Sequence, residues 1–127
     1  MKTKDYSELF KVKLNNNDIC RIKLFSLDKK TFESLSQYLQ ENNITKINLY
    51  DNKIEDEGLK FLAELLKTNS TLTSIDLRIN YIGDEGVEFL AEALKENNTL
   101  TSIDLASNNI GAEGVEFLAK ALKKTTL

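Results

Sequence analysis

The chain has 127 residues, 41% hydrophobic and 29% charged, with a net charge of −3, no histidine, no proline and one cysteine. Such a length supports one domain that buries roughly two-thirds of the surface its unfolded form exposes, and the mixed composition argues against disorder. The acidic balance, with Arg21 and Arg78 the only arginines, argues against a nucleic-acid footprint, and no apolar run nears the ~18 residues that span a membrane.

Residues Met1 to Glu8 are polar and expected to be ragged, and Met1 to Asp5 leads into no signal-peptide core. Phe10, Val12 and Leu14 then alternate with Lys11 and Lys13, which predicts a strand with one buried face. Asn15 to Asp18 reads as a turn, so this strand folds back antiparallel on the next, with Val12 facing Ile22 and Phe10 facing Leu24. Ile19, Ile22 and Leu24 open a first, atypical unit over residues 19–43, after a cap over residues 1–18. ICRIKL aligns with the later ITKINL, and Leu27 falls where later units carry an asparagine. The helix of this unit is expected over Thr31 to Gln40, with Phe32, Leu35, Ser36 and Leu39 inward and Asp28 or Thr31 as its cap. Cys20 reads as a small strand residue. As the only cysteine it allows no intrachain disulfide and suits a reducing, cytoplasmic setting.

From there one pattern is written three times, over residues 44–71, 72–99 and 100–127. Leu72, Ile75, Leu77, Asn80, Ile82, Gly86, Leu90 and Leu94 return at Leu100, Ile103, Leu105, Asn108, Ile110, Gly114, Leu118 and Leu122, a step of 28 residues. The same step backwards reaches Ile44, Ile47, Leu49, Asn52, Ile54, Gly58, Leu62 and Leu66. A fixed period of this size marks a solenoid in which each unit packs only on its neighbours. Within a unit, LTSIDL alternates like a half-buried strand. From Asp84 to Glu96 the apolar spacing becomes that of an amphipathic helix, with carboxylates in its first turn and Asn97 as a plausible C-cap. Each unit is thus strand, turn and helix, and its return makes the strands parallel.

Asn52, Asn80 and Asn108 end the strands in phase and are expected to form a ladder, each amide satisfying backbone groups of its own turn and the adjacent one. Gly83 and Gly111 are expected to supply positive φ, while Gly58, Gly86 and Gly114 allow close packing at the helix start. LxxIxLxxNxIGxxGxxxLAxxLxxN, as it stands at Leu72 to Asn97, resembles the leucine-rich repeats of the ribonuclease-inhibitor-like class. Similar repeats occur in the GTPase-activating protein of Ran, in tropomodulin and in NOD-like receptors. The resemblance covers about Ile19 onward and implies an α/β solenoid, its parallel sheet concave and its helices convex, to which the strand at Phe10 to Leu14 is expected to add an N-terminal hairpin cap. It says little about activity, because this architecture serves many roles.

Chemistry is sparse. Without histidine and with one cysteine, no zinc site of nitrogen and sulfur ligands and no Ser–His triad can be assembled. The glycines form no phosphate-binding loop, so no cofactor, metal or catalytic residue is expected. Asp76 and Asp104 lie one unit apart at about the ~4.8 Å strand spacing, which reads as a solvated strand face ahead of a shared-proton or cation site. The exposed strand positions form columns. One reads Lys23, Asn48, Asp76, Asp104 and another Arg21, Lys46, Ser74, Ser102, so charge runs from basic to acidic along the sheet. A third, at the strand ends, reads Phe25, Tyr50, Arg78, Ala106, flanked by Asp51, Ile79 and Tyr81. Aromatics with an arginine on a rim are residue types that anchor protein interfaces.

The expected function is therefore a non-enzymatic protein-binding module, with Phe25, Tyr50, Arg78, Ile79, Tyr81, Asp76 and Asp104 meeting the partner, and with neither nucleic acid nor membrane involved. Two alternatives stand beside it: an accessory or regulator of a small GTPase, and a consensus-like scaffold with no specific ligand. After Leu122 the chain runs Lys123-Lys124-Thr125-Thr126-Leu127 without a polar capping unit, which fits either a longer array or pairing through this end; weak self-association as a homodimer through the C-terminal edge is expected.

Overall fold

The structure, a computed structural model, describes residues 5–14 and 18–122. Two strands, β1 (Phe10–Leu14) and β2 (Cys20–Leu24), precede helix α1 (Lys29–Glu41). Three strand–helix pairs follow: β3 (Lys46–Asn48) with α2 (Glu55–Thr68), β4 (Ser74–Asp76) with α3 (Asp84–Glu96), and β5 (Ser102–Asp104) with α4 (Ala112–Leu122). All five strands form one sheet in chain order, antiparallel between β1 and β2 and parallel from there on. This is an α/β solenoid of the leucine-rich repeat type, with the sheet on one face and the helices on the other.

The elements follow from the pattern of apolar residues. Ile47 and Ile75, at the centres of β3 and β4, turn inward and are buried, as are Leu49 and Leu77 just beyond those strands. Leu62 and Leu66 of α2 and Leu90 of α3 close the same core from the helical side. Acidic residues fill the first turns of α2 and α3, and Lys67 and Lys95 stand in their last turns, both arrangements that favour the helix dipole. Of the two candidate caps for α1, Asp28 takes the role: its Oδ1 accepts the Thr31 N–H at 2.9 Å and the Thr31 hydroxyl at 2.8 Å. The strands β3 to β5 are three residues each, shorter than the six-residue LTSIDL pattern, although backbone hydrogen bonds between units continue on both sides of them, as from the Thr73 N–H to the Thr45 carbonyl at 2.7 Å and the Leu77 N–H to the Asp104 carbonyl at 2.8 Å.

The N-terminal hairpin pairs Phe10 with Leu24 and Val12 with Ile22, the register its alternation predicts. Residues 5–8 are more ordered than their polarity suggests. Tyr6 stacks on Phe10 at 5.3 Å between ring centroids and meets Tyr38 of α1 edge-on at 5.7 Å. The rest of the expected ragged start (residues 1–4), most of the Asn15–Asp18 turn (residues 15–17) and the Lys123-to-Leu127 stretch lie outside the described residues.

Two expectations are corrected. Cys20 pairs with Ile47 and Arg21 with Asn48, so β2 sits two residues away from the ICRIKL–ITKINL alignment. The five-residue pairing with β1, continued by the Phe25 N–H to the Leu9 carbonyl at 2.9 Å, fixes β2 independently of the repeat spacing. The column therefore reads Arg21, Asn48, Asp76, Asp104, and the same register continued sets Lys23, not Phe25, beside Tyr50. The second correction concerns the glycines. Among the described residues no glycine has positive φ, and Gly83 is an extended N-cap at φ −110°. Positive φ falls instead on Asp18, Asn43, Asp51, Lys53, Glu55, Ile79, Tyr81 and Ser107, at 50–59°. What glycine provides is room. A Cβ on Gly83 would lie 3.4 Å from the Asp56 carboxylate, and one on Gly86 would lie 3.1 Å from the Asp56 Cα.

Candidate partner-binding rim

Beneath the rim, the three asparagines link successive turns. The Asn80 amide donates to the carbonyls of Leu49 at 3.0 Å and Leu77 at 3.1 Å, and its oxygen accepts the N–H groups of Asn52 at 2.9 Å and Ile54 at 3.2 Å. Asn108 does the same one unit on, donating to Leu77 and Leu105 and accepting from Asn80 and Ile82. Asn52 reaches the first unit by donating to the Ile22 carbonyl and accepting the Leu24 N–H at 2.7 Å. The slot in that unit is thus the backbone at Leu24, not Leu27, a consequence of the shifted register.

Two further links escaped the sequence reading. Asp56 accepts the Gly83 N–H at 2.7 Å and Asp84 accepts the Gly111 N–H at 2.7 Å, each joining one helix start to the next. The Asn97 amide donates to the Leu66 carbonyl at 2.8 Å while its oxygen accepts from Thr99 and Leu100, so this residue bridges helix ends as well as stopping its own helix. The signal was present: Asp56 and Asp84 recur in phase, as do Asn69 and Asn97. In the sequence Asp84 counts as helix-start charge and Asn97 as a C-cap.

Above the ladder, Arg78 organises the strand ends. Its Nη2 donates to Asp76 Oδ2 at 2.8 Å, its Nε lies 3.0 Å from both Asp76 oxygens, and Asp104 Oδ2 is 3.7 Å from Nε. The guanidinium carbon lies 5.3 Å from the centroid of the Tyr50 ring, a cation–π arrangement. The structure therefore brings Tyr50, Asp76, Arg78 and Asp104 together. Burial opposes ionisation of Asp76, but the hydrogen bonds and charge of Arg78 outweigh it and hold the carboxyl below its ordinary value. The bonds to Asp76, with its charge, raise the Arg78 pKa in turn. The cation between the two aspartates is thus a side chain of the rim itself.

Ile79 and Tyr81 occupy the turn that follows, both at positive φ, which is unusual for a β-branched residue such as Ile79. Tyr81 is 56% exposed and walls a cleft of about 480 Å³ with Lys53, Glu55, Asp56 and Glu57. Phe25 stands apart, 53% exposed just beyond β2. On the helical side a groove of about 570 Å³ runs between α1 and α2 over Phe32, Phe61 and Leu65. Burial pushes the Cys20 thiol up to about 11, so it is protonated at neutral pH. Among the described residues no cluster has the ligand set for a metal ion, and no helix is long and apolar enough to cross a membrane.

Comparison with known proteins agrees with this geometry. The sequence pattern described as Leucine Rich repeat matches residues 40–63, 68–91 and 96–119, more than half of the chain. No curated protein matches. Among solved structures the chain is similar to Leiomodin-1 Actin-Binding Site 2, with 27% identity and a TM-score of 0.63. That likeness covers 76% of this chain and 58% of the other.

Proposed function

The chain belongs to the leucine-rich repeat family, and from that premise we propose that it is a non-enzymatic module that holds a partner protein against its sheet face and strand-end rim. The observation that carries this reading is the arginine platform. Arg78 is laid over Tyr50 and gripped by Asp76, so an exposed cation and an aromatic face are held in place before any partner arrives. Preorganised arginine and tyrosine side chains lose little entropy on binding, which is why they dominate interface hot spots. Tyr81 and the strained Ile79 extend the platform into the loops, Asp104 extends it along the sheet, and Phe25 marks its far end. The buried, unpaired Cys20 suits a reducing compartment such as the cytoplasm.

The likeness to Leiomodin-1 Actin-Binding Site 2 makes actin the first partner to try. Co-sedimentation with actin filaments and pull-down from cell extract supply the capture assays. Replacing Tyr50 and Arg78 together by Ala is expected to abolish capture while shifting the melting temperature by no more than a few degrees, since Arg78 is exposed and Tyr50 only half-buried. Capture that survives this change but is lost on altering Glu88 and Glu92 would move the site to the helical face. Faster hydrolysis by a nucleotide-loaded small GTPase would favour the regulator reading. Failure to capture any specific protein would favour a scaffold.

A further inference from the structure

We propose that the β1–β2 half of the sheet face receives an acidic, extended segment of the partner, an inference that rests on the protein-binding reading. The antiparallel register sets Lys11 directly opposite Lys23 and Lys13 directly opposite Arg21. All four side chains are exposed and face away from the core that Cys20, Ile22 and Leu24 enter. Like charges directly across a strand pair destabilise it. Among the described residues none of the four cations forms an ion pair; the ion pairs lie on α2, α3 and α4 and around Arg78.

Protection of the sheet edge accounts for only part of this. Lysines on an edge strand deter unwanted pairing, which explains Lys11 and Lys13 on β1. Arg21 and Lys23 sit on an interior strand between β1 and β3, where no edge needs blocking. Folding does not demand a cation at the Arg21 position either, since the residues in register with it on β3 to β5 are Asn48, Asp76 and Asp104. Four uncompensated cations kept at a cost to the hairpin are what an anionic ligand requires.

The distribution of charge selects its class. Along the sheet the column passes from Arg21 through Asn48 to Asp76 and Asp104. A uniformly negative nucleic-acid strand laid across the sheet would run from the cations onto the aspartates, and one laid along β2 would run onto the apolar Phe25, whereas a polypeptide can be acidic at one point and apolar beyond it. Arg21 and Lys23 are two residues apart, about 6.8 Å along the strand, which is also the repeat of same-face side chains in an extended peptide. Phe25 comes next in that order and is exposed. The segment thus alternates acidic and neutral residues and ends on an apolar one.

The test uses the intact chain and a short fluorescein-labelled peptide alternating Glu and Ser and ending in Leu. Fluorescence anisotropy is expected to detect binding that weakens with added salt, with no binding of the same peptide carrying Lys in place of Glu. K11E/K13E places carboxylates opposite Lys23 and Arg21. It is expected to raise the melting temperature while weakening the peptide by at least about tenfold. K120E, on the helical face, is expected to leave peptide affinity unchanged. The inference falls if the wild type does not bind the peptide, if K11E/K13E binds it equally well, or if oligothymidylate binds at least as tightly. Should it fall while capture dependent on Tyr50 and Arg78 persists, the protein-binding reading stands; loss of both overturns that reading too.

Discussion

Asn80 has no exposed surface, yet its amide satisfies backbone groups on both sides: the carbonyls of Leu49 and Leu77 and the N–H groups of Asn52 and Ile54. An unpaired buried polar group costs about 1–3 kcal/mol. Truncation to Ala strands groups in two turns at once, so Asn80→Ala is expected to lower stability by about 3 kcal/mol in urea denaturation. Asn108→Ala is expected to cost about half as much, because its surroundings are only part-buried and water can replace some of the lost bonds. Equal losses at the two positions would contradict a role that depends on neighbours on both sides. Individual residues were legible to the extent that their chemistry was periodic. The asparagines recur in phase and end each strand, so their bridging could be read. The left-handed backbone at Ile79 and Tyr81 could not, because nothing in a β-branched or aromatic side chain favours that conformation and only the packed turn imposes it.

At the level of elements, helix α3 runs from Asp84 to Glu96 as its apolar spacing predicts, because carboxylates mark the start and Asn97 marks the stop. The first unit was less legible. Its sequence aligns with the later repeats at one register, but β2 answers to β1 rather than to the period, and hairpin pairing outweighs similarity of pattern. Gly83 illustrates a similar limit. Its place beside a turn suggested backbone freedom, whereas its use is to let the Asp56 carboxylate approach from the preceding unit, a long-range fact. The hairpin itself is fastened to α1 by Phe10, which is buried, stacks on Tyr6 and meets Tyr38 edge-on. Phe10→Ala is therefore expected to cost about 3–4 kcal/mol, the range for truncating a core phenylalanine. Deleting residues 1–14 is expected to produce aggregation as well, since the edge of β2 is then left open. A deletion variant that stays monomeric and fully stable would show that the hairpin is not a cap.

For the whole molecule, burial is graded along the array. Ile75 and Leu77 are buried, while their counterparts Ile103 and Leu105 are only partly so, and Val115 on α4 is 58% exposed. In a repeat protein each unit is covered only by its neighbours, so the β5–α4 unit depends on α3 and β4 for its burial. The outer edge of β5 is not paired within the described residues, and of the side chains beside it only Asp104 carries charge that opposes contact. An apolar face beside such an edge is a template for another strand. We propose that two copies of the 127-residue chain pair weakly there. Sedimentation over a hundredfold concentration range is expected to show the average mass rising, and Thr101→Lys, which sets a cation at the edge, to return it to the monomer. Extending the chain by one further repeat would cover the same face and is expected to abolish the association in the same way. A wild-type chain that stays monomeric throughout would mean that α4 shields the edge by itself, and the Thr101→Lys variant would then differ from it in nothing but charge.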